Sequence, residues 1–79
     1  MKVTVQLFAA LREVTGTRQV ELEVPPDATV RQAAEMLASR YPRLAPYLDS
    51  VSFAVDGEFV TGGTVLEKAG ELALLPPVS

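Results

Sequence analysis

The sequence predicts an α+β fold, with a mixed β-sheet covered on one face by one main helix. Short segments with alternating polar and apolar residues recur along the chain, as expected for strands buried on one face. Residues 29–41 instead repeat their apolar residues at helical spacing. Proline and glycine separate these segments, and 79 residues are enough for one small domain.

The first two predicted strands flank a helical turn. Residues 3–8 (VTVQLF) and 18–24 (RQVELEV) both alternate, and the segment between them, AALREVTG, reads as a turn of helix ended by Gly16. Pro25 and Pro26 then stop the second strand. The residues predicted to face the core from these strands are Val3, Val5, Leu7, Val20, Leu22 and Val24.

The main helix is predicted to begin after Thr29. Thr29 is a favourable N-cap residue, and Gln32 stands three residues later, as in a capping box. Pro42 ends the helix, and RLAPYL after it reads as an irregular segment or a single turn. The residues expected to face the core from this region are Val30, Ala33, Ala34, Leu37, Tyr41, Leu44 and Leu48.

Three further strands complete the predicted sheet. The segment SVSFAVDG reads as a strand leading into a tight Asp56-Gly57 hairpin, and EFV reads as the short returning strand. The last strand spans residues 71–75. The residues expected to face the core are Val51, Phe53 and Val55 from SVSFAVDG, and Leu72 and Leu74 from the last strand. The order β-β-α-β-β-β is the layout of a ubiquitin-like β-grasp domain, predicted over residues 1–75.

Several apolar residues are predicted to lie on the face that the helix leaves uncovered. Because side chains alternate along a strand, Phe8, Ala54 and Leu75 must point away from the core. Phe59 and its neighbour Val60 cannot both point inward. A large exposed apolar patch usually marks a partner surface. The alternatives are that loops fold back over this face, or that a strand end twists Phe8 into a second small core.

The last strand is followed directly by two prolines. Proline cannot donate a ladder hydrogen bond, so strand pairing is predicted to end at Leu75. The prolines favour an extended, stiff conformation, which lowers the entropy lost when a tail enters a partner's cleft. The alternative is that they only terminate the strand. The predicted extended tail consists of Pro76, Pro77, Val78 and Ser79.

The composition argues against several classes of function. The chain has no cysteine and no histidine, and its carboxylates are scattered, which argues against a zinc or redox site. The net charge is −3 with no obviously basic face, and no apolar run approaches a membrane span, so neither nucleic acid nor a membrane is expected as a partner. We expect a soluble cytoplasmic protein. Residues 44–79 carry five acidic residues and one basic residue, which could suit a basic partner or be simply solvated.

Two segments resemble the ThiS/MoaD sulfur-carrier family, and within it the small subunits of molybdopterin synthase. They are VQLFAALREVTG near the start of the chain and GELALLPPVS at its end. The length, the order of elements and the central AVDGEFV agree as well, so the resemblance spans essentially the whole chain. Either terminal segment alone would be a weaker sign than the two together.

The resemblance implies that the chain carries sulfur and is not an enzyme on its own. In this family an adenylating activating enzyme uses ATP on the C-terminal carboxylate, and a sulfur donor then converts the carboxylate to a thiocarboxylate. The tail enters the active site of the large subunit of molybdopterin synthase, where the sulfur passes to a pterin precursor of the molybdenum cofactor. The carrier itself is expected to bind no cofactor and no metal.

The resemblance also assigns residues to roles. It places Phe8, Phe59 and Leu75 in an apolar contact with the large subunit, and Arg12 at the same interface. Carriers of this family end in Gly-Gly, so we expect the natural chain to continue with two glycines after Ser79. No catalytic residue is expected within the 79. The alternatives are a sulfur carrier for thiamin thiazole or tRNA thiolation, and a β-grasp binding module without a covalent role.

Overall fold

The computed structural model describes residues 1–67 and 70–77, which form a five-stranded sheet with helices in its connections. The elements are β1 (Lys2–Leu7), α1 (Ala10–Thr15), β2 (Gln19–Glu23), α2 (Val30–Arg40), a 3₁₀ helix (Pro42–Tyr47), β3 (Ser52–Val55), β4 (Glu58–Val60) and β5 (Glu71–Leu75). The predicted order of elements and the β-grasp architecture are confirmed. Within the described residues, no helix is long and apolar enough to cross a membrane.

The sheet has the strand order β2-β1-β5-β3-β4, which the sequence pattern alone could not supply. β1 and β5 run parallel, with Leu7 opposite Leu74, and the other neighbouring strands are antiparallel. β5 therefore occupies the centre of the sheet. Because β1 and β5 point the same way, the residues that follow them, Phe8 and Pro76, lie at the same edge of the sheet.

Three local features predicted from the sequence are confirmed. Gly16 caps α1 in the left-handed conformation, with φ of 74°. The hairpin between β3 and β4 turns through Asp56 and Gly57, whose φ angles of 47° and 87° are both positive, as a type I′ turn requires. Thr29 accepts a hydrogen bond from the backbone N–H of Gln32, whose side chain in turn accepts from the Thr29 N–H.

The core lies between α2 and the sheet, and every residue predicted to face it is buried or partly buried. The partly buried members are Tyr41, Val51 and Val55. Four other buried core residues, Leu11, Ala28, Ala38 and Leu66, were not predicted. Leu11 belongs to a helix of only six residues, which is too short to show periodicity. Leu66 lies in a loop that the backbone hydrogen bond from Leu66 N–H to the Ala28 carbonyl holds against the domain (2.9 Å).

Arg31 joins the start of α2 to the segment that follows the 3₁₀ helix. Its guanidinium contacts Glu35 at 3.3 Å and Asp49 at 3.2 Å, and it donates to the Leu48 carbonyl oxygen at 3.3 Å. The hydrogen bonds to Asp49 and then to Glu35 raise the pKa of Arg31. Arg31 therefore forms its ion pairs within the domain, where they connect α2 to the segment that follows the 3₁₀ helix.

Replacing Leu37 tests the packing of α2 on the sheet. Leu37 is completely buried, so Leu37→Ala should lower the free energy of unfolding by about 2–5 kcal/mol. The neighbouring Met36 is 39% exposed, and Met36→Ala should change it by only about 0.5 kcal/mol. Chemical denaturation of both variants measures the difference. Equal losses in the two variants would mean that α2 faces the sheet with another side.

Candidate partner-binding face and C-terminal tail

The sheet face opposite α2 carries the apolar residues predicted to lie outside the core. We call Phe8, Phe59 and Leu75 the apolar patch. Phe59 is 75% exposed and Phe8 is 41% exposed, whereas Leu75 is half-buried. Between them the floor of the face is built from small side chains, because Ala73 pairs with Ala54 and Ala54 pairs with Phe59. Phe59 is the most exposed large apolar side chain among the described residues. Several exposed apolar side chains on one face are typical of a surface that a partner covers.

The expectation that Ala54 is uncovered is wrong. Ala54 does point away from α2 and takes no part in the main core, but only 8% of its surface is exposed. The reason is its place in β3, between β5 and β4, where Ala73 and the large Phe59 flank it on the same face. Its short side chain does not reach past these neighbours. Ala54 therefore lies below the surface that a partner would contact.

A sharp turn after β1 places Phe8 at the rim of this face. Ala9 has φ of 51° and ψ of −124°, a conformation that residues with a side chain rarely adopt, and the turn is closed by a hydrogen bond from Leu11 N–H to the Phe8 carbonyl (3.0 Å). The chain therefore leaves the sheet directly after Phe8 and begins α1. Arg12 lies exposed on this short helix.

The tail begins where strand pairing stops. Leu75, opposite Ser52, is the last paired residue of β5, which confirms the predicted end of the ladder. Pro76 is half-buried and Pro77 is exposed, and neither belongs to a strand. The other two predicted tail residues, Val78 and Ser79, lie outside the described residues. Since β5 is central, the tail leaves from the middle of the sheet edge, next to Phe8 and Leu75.

Several acidic side chains in the second half of the chain form contacts within the domain. Asp49 pairs with Arg31. Asp56 accepts a hydrogen bond from the backbone N–H of Glu71 (3.1 Å), and the Glu71 carboxylate accepts two from the Gln6 side-chain amide (2.9 and 3.1 Å). Residues 1–67 and 70–77 contain no group of three side chains suited to holding a metal ion. These carboxylates therefore act mainly as structural groups.

Cavities lie on several sides of the domain. One of about 230 Å³ lies on the open face of the sheet, over Ala54 and Ala73. A groove of about 610 Å³ on the helix side runs along α2 and includes the exposed Met36, but none of the predicted site residues. A smaller cavity of about 290 Å³ lies beside Phe8 and is lined by Gln6, Leu7, Phe8, Arg12, Arg18 and Gln19. Sequence reasoning treated Arg18 as an ordinary exposed strand residue. The pairing of β1 with the start of the second strand brings it here, with Leu7 N–H donating to the Arg18 carbonyl (2.8 Å), and no local sequence pattern reveals this contact.

The model of the ThiS family matches residues 5–79 of the chain. This protein belongs to the ThiS family. The molybdopterin synthase sulfur carrier subunit of Homo sapiens is 35% identical to it over 81 residues, covering 99% of this chain and 92% of the relative. Small archaeal modifier protein 1 of Haloferax volcanii is 37% identical over 82 residues, covering 94% of each. The crystal structure of SAMP1 from Haloferax volcanii matches this ThiS-family fold with a TM-score of 0.89 at 34% identity, covering 100% of this chain and 98% of that one.

A matched pair of substitutions tests whether the apolar patch is free of the core. Phe59 and Phe53 lie on adjacent strands, but Phe53 is only 8% exposed. Phe59→Asp should lower the free energy of unfolding by no more than about 1 kcal/mol, the range of strand preferences. Phe53→Asp should prevent folding, because it buries an unpaired charge. Circular dichroism and thermal unfolding of the isolated domain measure both. A Phe59→Asp variant that unfolds would place Phe59 in the core.

Proposed function

We propose that this chain is the sulfur-carrier subunit of molybdopterin synthase. In this role it donates thiocarboxylate sulfur from its C-terminus to a pterin precursor during synthesis of the molybdenum cofactor. Membership of the ThiS family and near full-length similarity to a sulfur carrier subunit support the proposal. The activation step uses ATP, so we place the protein in the cytoplasm. The chain has no catalytic role of its own here, and its partners are the large synthase subunit, an adenylating enzyme and a sulfur donor.

The observation that carries this proposal is the position of the tail. The tail leaves the central strand β5 at the edge where Phe8 and Leu75 lie. A partner that covers the apolar patch therefore also receives the tail. Pro76 and Pro77 lack the N–H groups needed to extend the ladder, and their restricted backbone keeps the tail from folding back. A single binding event would therefore dock the carrier and deliver its terminus to the partner.

The chemistry needs only a terminal carboxylate from this chain. A carboxylate is a poor electrophile, so one of its oxygens is first joined to the α-phosphorus of ATP, and pyrophosphate leaves. Hydrosulfide supplied by the sulfur donor then attacks the acyl carbon, a C–S bond forms, and the C–O bond to AMP breaks. Loss of the S–H proton leaves the thiocarboxylate. Terminal glycines would suit this role, since a residue without a Cβ passes through a narrow channel. The groups that move protons in these steps belong to the partners.

The similarity to a small archaeal modifier protein favours a second candidate function. An acyl adenylate also reacts with an amine, so the same activated terminus could be joined to the amino group of another protein. The carrier surface and the tail would serve both roles. Transfer to thiamin thiazole or to tRNA bases remains a further alternative with the same carrier chemistry, and a non-covalent binding module would need no activation.

The test compares two forms of the chain, one ending at Ser79 and one extended by Gly-Gly. Each is incubated with the activating enzyme, ATP and a sulfur donor, and its intact mass is followed for replacement of one oxygen by sulfur. Two residues change the reach of the tail by roughly 7 Å at ~3.3–3.6 Å per residue. A misplacement of even ~1 Å can lower a rate a hundredfold. We therefore expect the extended form to gain sulfur and the Ser79 form to remain unchanged.

The same samples distinguish the alternatives. The sulfur-loaded extended form should convert the pterin precursor to molybdopterin when the large subunit is added. Equal loading of both forms would contradict the account of the tail. Loading without any transfer in the presence of the large subunit would contradict the proposed acceptor. The extended form joined to protein amines would favour the modifier role, and failure of both forms to react would favour the binding module.

A further inference from the structure

Arg12 and Arg18 differ from the arginines that hold the domain together. Arg31 makes three contacts with acceptors, and Arg40 donates to the Glu21 carbonyl (3.3 Å). Neither Arg12 nor Arg18 donates a side-chain hydrogen bond or forms an ion pair within residues 1–67 and 70–77, and both are exposed. Both nevertheless line the same cavity. Their charges are thus brought together without an internal acceptor.

The cavity has the chemistry of an anion receptor. Two arginines line one concave site, and a carboxylate, that of Glu71, is held at its border by the Gln6 side-chain amide. The two positive charges outnumber this one negative charge, so the site has a positive potential. The side-chain amides of Gln6 and Gln19 add polar walls, and Phe8 forms part of the rim. Guanidinium groups bind carboxylates in a planar, two-pronged geometry, which gives direction as well as affinity.

The position of the cavity points to the source of the anion. Arg18 stands just before β2, at the edge of the sheet where β1 ends. Phe8 is among the residues that line the cavity. A partner that covers the apolar patch therefore also covers the cavity.

We propose that Arg18 joins Arg12, which the family resemblance already places at this interface, in receiving a carboxylate side chain of the large synthase subunit. This inference rests on the proposed function, which supplies the partner, and adds the chemistry of recognition. Burial of the apolar patch is not directional, so it leaves the rotation of the docked carrier poorly defined. A directional ion pair to one side of the patch fixes that rotation. The tail then points into the partner's cleft rather than past it.

The test measures the dissociation constant between the full chain and the purified large subunit. Arg18→Gln removes the charge and keeps a polar side chain, whereas Arg18→Glu reverses the charge. The matched control is Lys2→Gln, which makes the same change of charge at the opposite end of β1, where Lys2 is also exposed. Phe59→Asp reports on the apolar patch. Circular dichroism of each variant confirms that the fold is retained.

We expect Arg18→Gln to raise the dissociation constant about tenfold, as for loss of a charged hydrogen bond. Arg18→Glu should raise it further, and Lys2→Gln should change it less than about twofold. The difference between the unaltered chain and Arg18→Gln should shrink as salt is raised, because salt screens exposed charges. Arg12→Gln should behave like Arg18→Gln.

Several results would overturn the inference. An Arg18→Gln effect no larger than that of Lys2→Gln would show that Arg18 meets no partner group. Equal binding by Arg18→Glu and Arg18→Gln would show that the group it meets is not an anion. If only Phe59→Asp weakens binding, the proposed function stands and the carboxylate receptor fails. If the unaltered chain does not bind the large subunit, both proposals fail.

Discussion

The parallel pairing of β1 with β5 is the constraint on which the rest of the structure depends. It joins the two ends of the sequence, with Leu7 opposite Leu74, and places the last strand at the centre of the sheet. Bringing such distant segments together costs chain entropy, which burial of the core beneath α2 must offset. The same pairing places Phe8 and Pro76 at the same edge of the sheet. The proposed partner surface and the start of the tail therefore come together through one feature of the topology.

The alternation of side chains along each strand gives the two faces of the sheet different roles. In β5, Leu72 and Leu74 are completely buried beneath α2, whereas Ala73 and Leu75 face the other way. Small side chains lie in the middle of the open face, and the larger side chains of the apolar patch lie around them. Under the proposed function, the domain supplies recognition and a terminus, and its partners supply catalysis. The ThiS-family assignment and the proposed carrier role both agree with this division.

Much of the fold could be predicted from the sequence because its signals are local. The capping box at Thr29, the Asp56-Gly57 turn and the alternating strands each depend on neighbouring residues. Strand order, the burial of Leu66 and the cavity that Arg12 and Arg18 both line depend on contacts between distant segments, so no local pattern reveals them. The prediction for Ala54 failed for a related reason. Alternation gives the direction of a side chain, but the neighbours across the strands decide how much of it is covered.

Mapping backbone amide signals by NMR while the large synthase subunit is added tests the central claim most directly. The claim is that the open face of the sheet and the tail, not the helix side, form the docking surface. Because Pro76 and Pro77 have no amide proton, the account predicts that the largest changes fall on the amides of Phe8, Phe59, Leu75, Val78 and Ser79. The exposed side of α2 around Met36 should stay unchanged. Changes centred on the groove along α2, with the apolar patch unaffected, would contradict it.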